Sequence, residues 1–266
     1  MQLRPGMRAF VTGASRGIGA ALARELARHG LVVGLAARSV GELDALAAGL
    51  PGSGHVVLPC DVADPASVQA AFARFTAVAG GLDLLVANAG ITHYEPFATA
   101  PLEAAERMTR VNWLGTVFTV HSGLEPMLAQ GSGHVVIVSS GAALRAFPGA
   151  AVYGATKAAQ KAFAEALRHE LDGTGVSLTT VYPGEIATSL HDHELERMPA
   201  WYRGGPHAAS PEALARAIVA AVEADRRALH FPPVVRLLGV LNATAPRAAD
   251  ALLRRLRGPS AAPRRG

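Results

Sequence analysis

The sequence has little cysteine and little charge. One of its 266 residues is cysteine, Cys60, and 17% are charged, whereas half are hydrophobic. A single cysteine cannot form an internal disulfide, so we expect a reducing, cytoplasmic compartment. The apolar content is sufficient for one sizeable core and excludes disorder for most of the chain. We therefore expect a single domain over residues 1–266.

Long hydrophobic runs are also missing. No stretch approaches the roughly 18 uncharged apolar residues that a membrane-spanning helix needs. The first ten residues, MQLRPGMRAF, lack the apolar centre of a signal peptide. We therefore expect neither a transmembrane span nor a secretory leader.

Positive charge is concentrated near the C-terminal end. The net charge is +4, and the segment at about 247–266 holds several arginines against the single acid Asp250. We expect a basic, variable, solvated tail and no nucleic-acid partner. The stretch VVRLLGVLNATAPRAADALLRRL, which overlaps this tail, leaves three alternatives open: peripheral contact with an anionic membrane, packing on the domain, or packing on a partner subunit.

Short apolar runs alternate with amphipathic helical stretches along the chain. The apolar runs are MRAFVTG, LVVGLAA, HVVLPCDV, LDLLVANAG, HVVIVSS, VSLTTVYPG and ALHFPP. Nearly continuous apolar runs are typical of parallel strands that are covered on both faces. One long helix is expected from about Pro101 to Gln130, bent near Pro126. The alternation predicts an α/β fold: a Rossmann-type, doubly wound parallel sheet of about seven strands in three layers.

A glycine-rich loop, TGASRGIG, follows the first predicted strand and opens the first predicted helix. Its glycines allow a tight turn, a close approach of backbone to a pyrophosphate, and close packing of helix on strand. A loop with this placement predicts a dinucleotide site. The expected contacts are Gly13, Ser15, Arg16, Gly17, Ile18 and Gly19.

The residues at the end of the second strand indicate which dinucleotide the chain binds. An NAD site usually carries an acid there, but this chain has Ala36 and Ala37, followed by Arg38. Arg16 is a second cation within reach, and guanidinium groups suit a ribose 2′-phosphate. The charges therefore favour NADP(H) over NAD(H).

Two further strand ends carry polar or small residues. Asp61, followed by Val62, closes the third strand and could accept from an adenine amino group or simply cap a turn. Asn88, Ala89 and Gly90 close the fourth strand. Their small size lets backbone approach a ribose, and the Asn88 amide can link neighbouring strands.

The order of the remaining motifs carries a family resemblance. Asn112 lies in VNWLG, Ser140 ends the fifth strand thirteen residues before Tyr153, and YGATK places Lys157 four residues beyond that tyrosine. PGEIAT follows the sixth strand. With TGxxxGIG and NAG, these motifs resemble the short-chain dehydrogenase/reductase family from about Met7 to Thr188.

The resemblance implies a catalytic tetrad of Asn112, Ser140, Tyr153 and Lys157, with Asn112 holding a water that links the lysine to solvent. It implies that the tyrosine and lysine also contact the cofactor. The cofactor contacts implied after the sixth strand are Pro183, Gly184, Ile186 and Thr188. It further implies a homodimer or homotetramer, joined through the helices around 101–130 and 151–171.

The physical chemistry of the tetrad agrees with this implication. Residues four apart share a helix face, so the ammonium of Lys157 can lie beside the phenol of Tyr153 and should lower its pKa. Tyr153 could then exchange a proton with the substrate oxygen, and Ser140 could hydrogen-bond the same oxygen.

The sequence predicts the substrate site in less detail than the cofactor site. The expected contacts are Ser140, Leu144, Tyr153 and Glu185, under a lid at about 188–209 that is apolar enough to cover a hydrophobic substrate. The lid also holds His191, His193 and His207, but the expected chemistry needs no metal, and none is predicted.

The expected function is a carbonyl reductase or secondary alcohol dehydrogenase acting on a small molecule. Two alternatives stay open. One is a sugar-nucleotide-type epimerase or dehydratase that reuses YxxxK, and the other is a non-catalytic NADP-sensing binder.

Overall fold

The computed structural model describes residues 1–188, 190 and 208–257. Its centre is a sheet of seven parallel strands in the order β3-β2-β1-β4-β5-β6-β7. The strands are β1 (Arg8–Thr12), β2 (Val32–Ala37), β3 (Val56–Pro59), β4 (Leu84–Ala87), β5 (Gly133–Val138), β6 (Val176–Pro183) and β7 (Ala228–Phe231). The strand order reverses between β1 and β4, which places a ligand crevice at that switch point.

Helices cover both faces of the sheet. They are α1 (Gly17–Arg28), α2 (Val40–Ala48), α3 (Pro65–Ala79), α4 (Leu102–Met108), α5 (Gly115–Gln130), α6 (Ala151–Glu170), α7 (Pro211–Glu223), α8 (Val234–Thr244) and α9 (Pro246–Arg257). In the described part of the chain, no helix has the length and apolarity to cross a bilayer.

The pleat of the strands divides the core into two layers. Ala9 and Val11 of β1 belong to the cluster with residues of α1, α2 and α7. Phe10, between them, belongs to the opposite cluster with residues of α3, α5 and α6, and its ring stacks on Phe72 at 4.0 Å between centroids. Successive side chains of a strand point to opposite faces, so both faces of the sheet are buried. The predicted three-layer Rossmann-type fold is confirmed.

The helix expected from Pro101 to Gln130 is present, with every residue from 102 to 130 helical. A π-helical segment, Thr109–Leu114, separates α4 from α5, whereas Pro126 lies inside α5. The predicted helix is therefore confirmed, and the sequence missed the π segment within it, where tertiary hydrogen bonds act. Ile91 binds both polar atoms of the Asn112 amide there. Single π turns inside helices often occur at functional sites.

The expectation of a solvated basic tail from residue 247 is confirmed for Arg247, Arg254 and Arg255, which are exposed, but one face of α9 packs on the domain. α9 packs beside α8, Ala249 is buried, and Asp250 forms an ion pair with Arg145. Asn242 Nδ2 of α8 donates to the carbonyl oxygen of Leu144 at 2.9 Å. Of the three alternatives for this stretch, packing on the domain is the one that the structure shows. Residues 258–266 lie outside the described residues.

Candidate active site

The carboxyl ends of the central strands border a cleft of about 570 Å³. The predicted cofactor contacts that line it come from separate turns of the chain. They are Gly13, Ser15, Arg16, Gly17, Ile18, Arg38, Asp61, Val62, Asn88, Ala89, Gly90, Tyr153, Lys157, Pro183, Gly184, Ile186 and Thr188. These residues meet because parallel strands all end at the same edge of the sheet.

The glycine-rich loop has the backbone shape that its sequence predicts. Gly13 and Gly17 have φ of +66° and +56°, in the left-handed region that favours glycine. Gly19 is not part of the cleft lining. A Cβ at Gly19 would collide with the carbonyl oxygen of Gly13, so this glycine lets α1 pack against the loop. The N-terminus of α1 then faces the cleft, where backbone N–H groups favour phosphate.

Asn88 locks the glycine-rich loop to the end of β4. Its Nδ2 donates to the carbonyl oxygens of Thr12 at 2.9 Å and Gly13 at 3.3 Å. The backbone N–H of Asn88 donates to Thr12 Oγ1 at 3.0 Å. The predicted linking role of the Asn88 amide is confirmed, and it fixes the two loops that border the cleft.

The cations expected to select the cofactor lie at one end of the cleft. Arg16 and Arg38 are both exposed and both line it. The carboxylate of Asp61 also lines the cleft, while its Oδ1 accepts from the N–H of Ala63 at 3.0 Å. Asp61 therefore caps a turn, which was one of its two predicted roles. It also lies beside the cleft, as the predicted adenine contact requires.

Sequence reasoning missed several residues of this cleft. Ser39 follows Arg38, Thr92 follows the NAG motif, and Arg107 reaches the cleft from α4. The first two adjoin recognised motifs and could have been found by extending them. Arg107 carries no sequence signal, because its position depends on how α4 packs over the sheet edge.

Tyr153 and Lys157 lie in the first two turns of α6 and are both buried, with 6% and 4% of their surface exposed. Lys157 Nζ donates to the carbonyl oxygen of Val138 at 3.1 Å and lies 5.9 Å from the centroid of the Tyr153 ring. The predicted shared face is confirmed. The small residues between and around them let α6 lie against the end of β5.

The prediction that the ammonium lowers the pKa of Tyr153 is wrong in this structure. Burial raises the pKa of Tyr153 above its usual value, and the hydrogen bond with Ser140 acts in the opposite direction. Burial also lowers the pKa of Lys157 to about 8. Burial deprives both charged forms of hydration, which disfavours the phenolate of Tyr153 and the ammonium of Lys157. A neutral phenol is therefore the favoured form at neutral pH.

The two serines after β5 have different contacts. Ser140 lines the cleft together with Tyr153, and its Oγ accepts from the N–H of Ala142 at 3.1 Å in the 3₁₀ turn Gly141–Ala143. Ser139 Oγ instead donates to the carbonyl oxygen of Lys157 at 2.8 Å. The hydrogen bond of Ser139 thus connects α6 to the sheet, whereas Ser140 and Tyr153 both present their side chains to the cleft.

Asn112 is fully buried behind the cleft and is absent from its lining. Its Oδ1 accepts from Ile91 N at 2.8 Å, and its Nδ2 donates to Ile91 O at 2.9 Å and to Thr156 Oγ1 at 3.2 Å. Gln160 Nε2 donates to the carbonyl oxygen of Asn112 at 2.8 Å. These bonds join α6, the π segment and the loop after β4. The water-holding role of Asn112 stays a prediction.

The expected substrate contacts adjoin a second cavity of about 370 Å³. Ser140, Leu144 and Glu185 line it, and Tyr153 lies in the first cleft. Ser140, Pro183 and Gly184 line both spaces, so the two are neighbours. The predicted lid falls largely outside the described residues, as do His191, His193 and His207.

The chain resembles known proteins over most of its length. The family model for short chain dehydrogenases matches residues 7–198. Glycine betaine reductase ATRR of Emericella nidulans is 39% identical over 222 residues, which is 82% of this chain and 18% of that protein. The chain therefore spans under a fifth of the length of this relative.

Two solved structures show the same fold. A short chain dehydrogenase/reductase from Burkholderia phymatum in complex with NAD is 24% identical, with a TM-score of 0.82 over 98% of this chain and all of that chain. A short chain dehydrogenase from Burkholderia cenocepacia in complex with NADP is 26% identical, with a TM-score of 0.80 over 95% and 99% of the two chains. The chain is an oxidoreductase that belongs to the short-chain dehydrogenase/reductase family.

Proposed function

We propose that this chain is an NADP(H)-dependent carbonyl reductase or secondary alcohol dehydrogenase in which Tyr153 exchanges a proton with the substrate oxygen. The observation that carries the proposal is the cleft lining shared by Ser140, Tyr153 and Lys157, with Tyr153 and Lys157 buried one turn apart on α6. The hydroxyl groups of Ser140 and Tyr153 line the same cleft, so both can hydrogen-bond one carbonyl or carbinol oxygen.

The residues present fit a nicotinamide dinucleotide. The left-handed Gly13 and Gly17 open the backbone before α1, and a Cβ at Gly13 would lie only 2.9 Å from Ala89 Cα, so the loop needs glycine. The Gly13–Gly19 loop would hold the pyrophosphate, Asn88–Gly90 would border the nearer ribose, and Ile186 with Thr188 would border the nicotinamide. When bound, this cofactor supplies or accepts a hydride at its C4 atom.

In the proposed mechanism, the hydroxyls of Ser140 and Tyr153 donate hydrogen bonds to the substrate oxygen. As negative charge develops on that oxygen, the Tyr153 hydroxyl transfers its proton to it. The raised pKa of Tyr153 keeps this proton in place at neutral pH, which suits the reduction direction. Lys157, with a pKa of about 8, can pass a proton near neutrality. Asn112 and Gln160 act as positioning residues, because they hold the segments that carry the tyrosine and lysine.

A broad panel of ketones and secondary alcohols tests this proposal, with NADPH and NADH absorbance followed in parallel. We expect NADPH-dependent reduction of at least some uncharged ketones and a weaker response with NADH. Tight NADPH binding with no net oxidation across the panel would contradict the proposal. Conversion of a sugar nucleotide at constant cofactor redox state would then favour the epimerase or dehydratase, and binding alone would favour the sensor.

The proposed NADP(H) preference rests on Arg16 and Arg38, together with Ala36 and Ala37 where a carboxylate would accept from the ribose 2′-hydroxyl. Arg38→Ala is expected to weaken NADPH binding by about 10- to 100-fold, because a charge-assisted hydrogen bond contributes about 1.5–3 kcal/mol. NADH binding should change by less than about threefold. Fluorescence titration of both cofactors measures the difference.

Arg24→Ala is the matched control for this measurement. Arg24 is an exposed arginine of α1 that does not line the cleft, so its removal should leave both affinities unchanged. An equal loss of NADPH affinity in the two variants, or a wild-type preference for NADH, would contradict the assignment of the arginines to a 2′-phosphate.

A further inference from the structure

The second cavity has walls from three parts of the chain. The first wall is the turn after β5, with Leu144 and Phe147, and the second is the loop after β6, with Glu185. The third wall is formed by α8 and α9. The sequence did not indicate that these two helices belong to a binding site. The lining is predominantly apolar, and its volume of about 370 Å³ lies within the range of about 300–1,000 Å³ that is usual for small-molecule sites.

The position of α8 is fixed by close contacts with the reaction end of the sheet. Gly239 allows one of these contacts, since a Cβ there would lie 3.0 Å from Leu144 Cδ1. The buried Val235 side chain fills the space beside Gly141 and Gly184, where added Cβ atoms would lie 3.2 and 2.9 Å from its methyl groups. The cavity wall is therefore packed against the residues that border the proposed reaction point.

Aromatic packing connects the cavity to Tyr153. Phe147 lines the cavity, and its ring lies 5.4 Å from the buried ring of Tyr94. Tyr94 in turn makes an edge contact with Tyr153 at 5.8 Å between centroids. Together with Ser140, which lines both spaces, this places the apolar cavity directly beside the proposed proton donor.

The charge of the cavity disfavours an ionic ligand. Among the described lining residues, the charged side chains are Arg145 and Glu185. Arg145 is already paired with Asp250 of α9, so its positive charge is balanced. A carboxylate or phosphate in the cavity would meet the like charge of Glu185, and the described lining offers it no cation other than the paired Arg145.

The far end of the cavity opens to solvent along an apolar edge. Val234, Leu238 and Leu252 line it and keep 51%, 42% and 39% of their surface exposed. A ligand that fills the cavity can therefore continue outward over hydrocarbon rather than meet a closed wall. This opening suits an extended ligand.

We infer that this cavity binds the hydrocarbon part of an uncharged aliphatic or alicyclic ketone, or of the matching secondary alcohol, with its oxygen at Ser140 and Tyr153. This inference rests on the proposed function and names its substrate class. A chain of several methylenes lies in the cavity, and longer chains extend past α8 and α9.

A series of 2-alkanones from 2-butanone to 2-undecanone tests the inference through kcat/KM with NADPH. We expect roughly a fourfold gain for each methylene that becomes buried, until the cavity is filled. The keto acid of matched length, with a terminal carboxylate, should be reduced less efficiently than 2-undecanone. A flat dependence on chain length, or a preference for the keto acid, would overturn the inference.

Two neighbouring leucines of α8 provide a matched pair of variants. Leu238 lines the cavity, whereas Leu237 is 66% exposed and does not. Leu238→Trp should lower kcat/KM for 2-undecanone at least about tenfold and leave 2-butanone nearly unchanged. Leu237→Trp should change neither. Leu252→Trp fills the cavity from α9 and gives a second test if the first variant folds poorly. Equal behaviour of the Leu237 and Leu238 variants would contradict the assignment.

A binding measurement separates this inference from the proposed function. NADP⁺ cannot reduce a ketone, so calorimetric titration of 2-undecanone in its presence reports binding without turnover. Tight binding that Leu238→Trp weakens, with no turnover in any assay, would support the cavity and contradict the reductase. Turnover of short ketones without binding of 2-undecanone would support the reductase and overturn the cavity assignment.

Discussion

Tyr153→Phe is expected to lower kcat for ketone reduction by about a thousandfold, because a positioned general acid contributes about 10²–10⁴. The variant keeps the ring that packs against Tyr94 and removes only the hydroxyl group of a side chain that lines the cleft with Ser140. NADPH affinity should therefore stay within about threefold of the wild type. Single-turnover reduction of the best ketone from the panel measures the loss directly.

Tyr182→Phe is the control for loss of a buried phenol. Tyr182 lies on β6, is buried, and stacks on His230 away from the cleft lining. Burial raises its pKa to about 12, so its hydroxyl, like that of Tyr153, stays protonated at neutral pH. This variant should keep turnover within about threefold. Similar turnover by Tyr153→Phe and the wild type would rule out Tyr153 as the proton donor.

The fold and the cofactor cleft were predictable because both follow from local pattern. Apolar runs separated by helical stretches define a parallel sheet, and in such a sheet the strand ends share one edge. Motifs distant in sequence, such as Gly13 and Asn88, therefore meet without any knowledge of packing, and Asn88 Nδ2 does reach the Gly13 carbonyl. The spacing of four between Tyr153 and Lys157 likewise fixes their shared helix face.

The parts that could not be predicted depend on tertiary packing. The π segment at Asn112 exists because Ile91 and Gln160, far away in sequence, bind its amide and carbonyl. The direction of the Tyr153 pKa depends on burial, which the sequence does not quantify. The stretch from Val234 onward is amphipathic, and that pattern fits a membrane, a partner or the domain equally well. Only contacts such as those of Val235 and Asn242 show that part of this stretch packs on the domain, while Leu237 and Val240 stay exposed.

Lys157→Met is expected to abolish turnover and also to stabilise the fold, without cofactor, by about 2 kcal/mol at pH 7. Burial lowers the pKa of Lys157 from 10.5 to about 8, which corresponds to an unfavourable contribution of about 3 kcal/mol at pH 7. Loss of the hydrogen bond from Nζ to Val138 O offsets about 1 kcal/mol of the gain. Urea titration of the free energy of unfolding measures the net effect.

The stability difference between Lys157→Met and the wild type should decrease as the pH rises above about 8. Between about pH 8 and 10.5 the unfolded chain keeps the Lys157 proton, whereas the folded chain has lost it. The wild type therefore gains stability with rising pH, relative to Lys157→Met, and the advantage of the variant shrinks. The raised pKa values of Cys60 and Tyr153 act in the opposite direction at alkaline pH. To first order, they contribute equally to both proteins and cancel in the difference.

Lys161→Met is the matched control, one turn further along α6. Its ammonium is partly exposed and pairs with Glu165, so removal should change stability by less than about 1 kcal/mol, with no trend between pH 8 and 10. Equal destabilisation by both substitutions would show that burial of the Lys157 ammonium does not lower the free energy of unfolding. Stabilisation confined to Lys157→Met, together with loss of turnover, would show that the buried ammonium is retained for function at the expense of the fold.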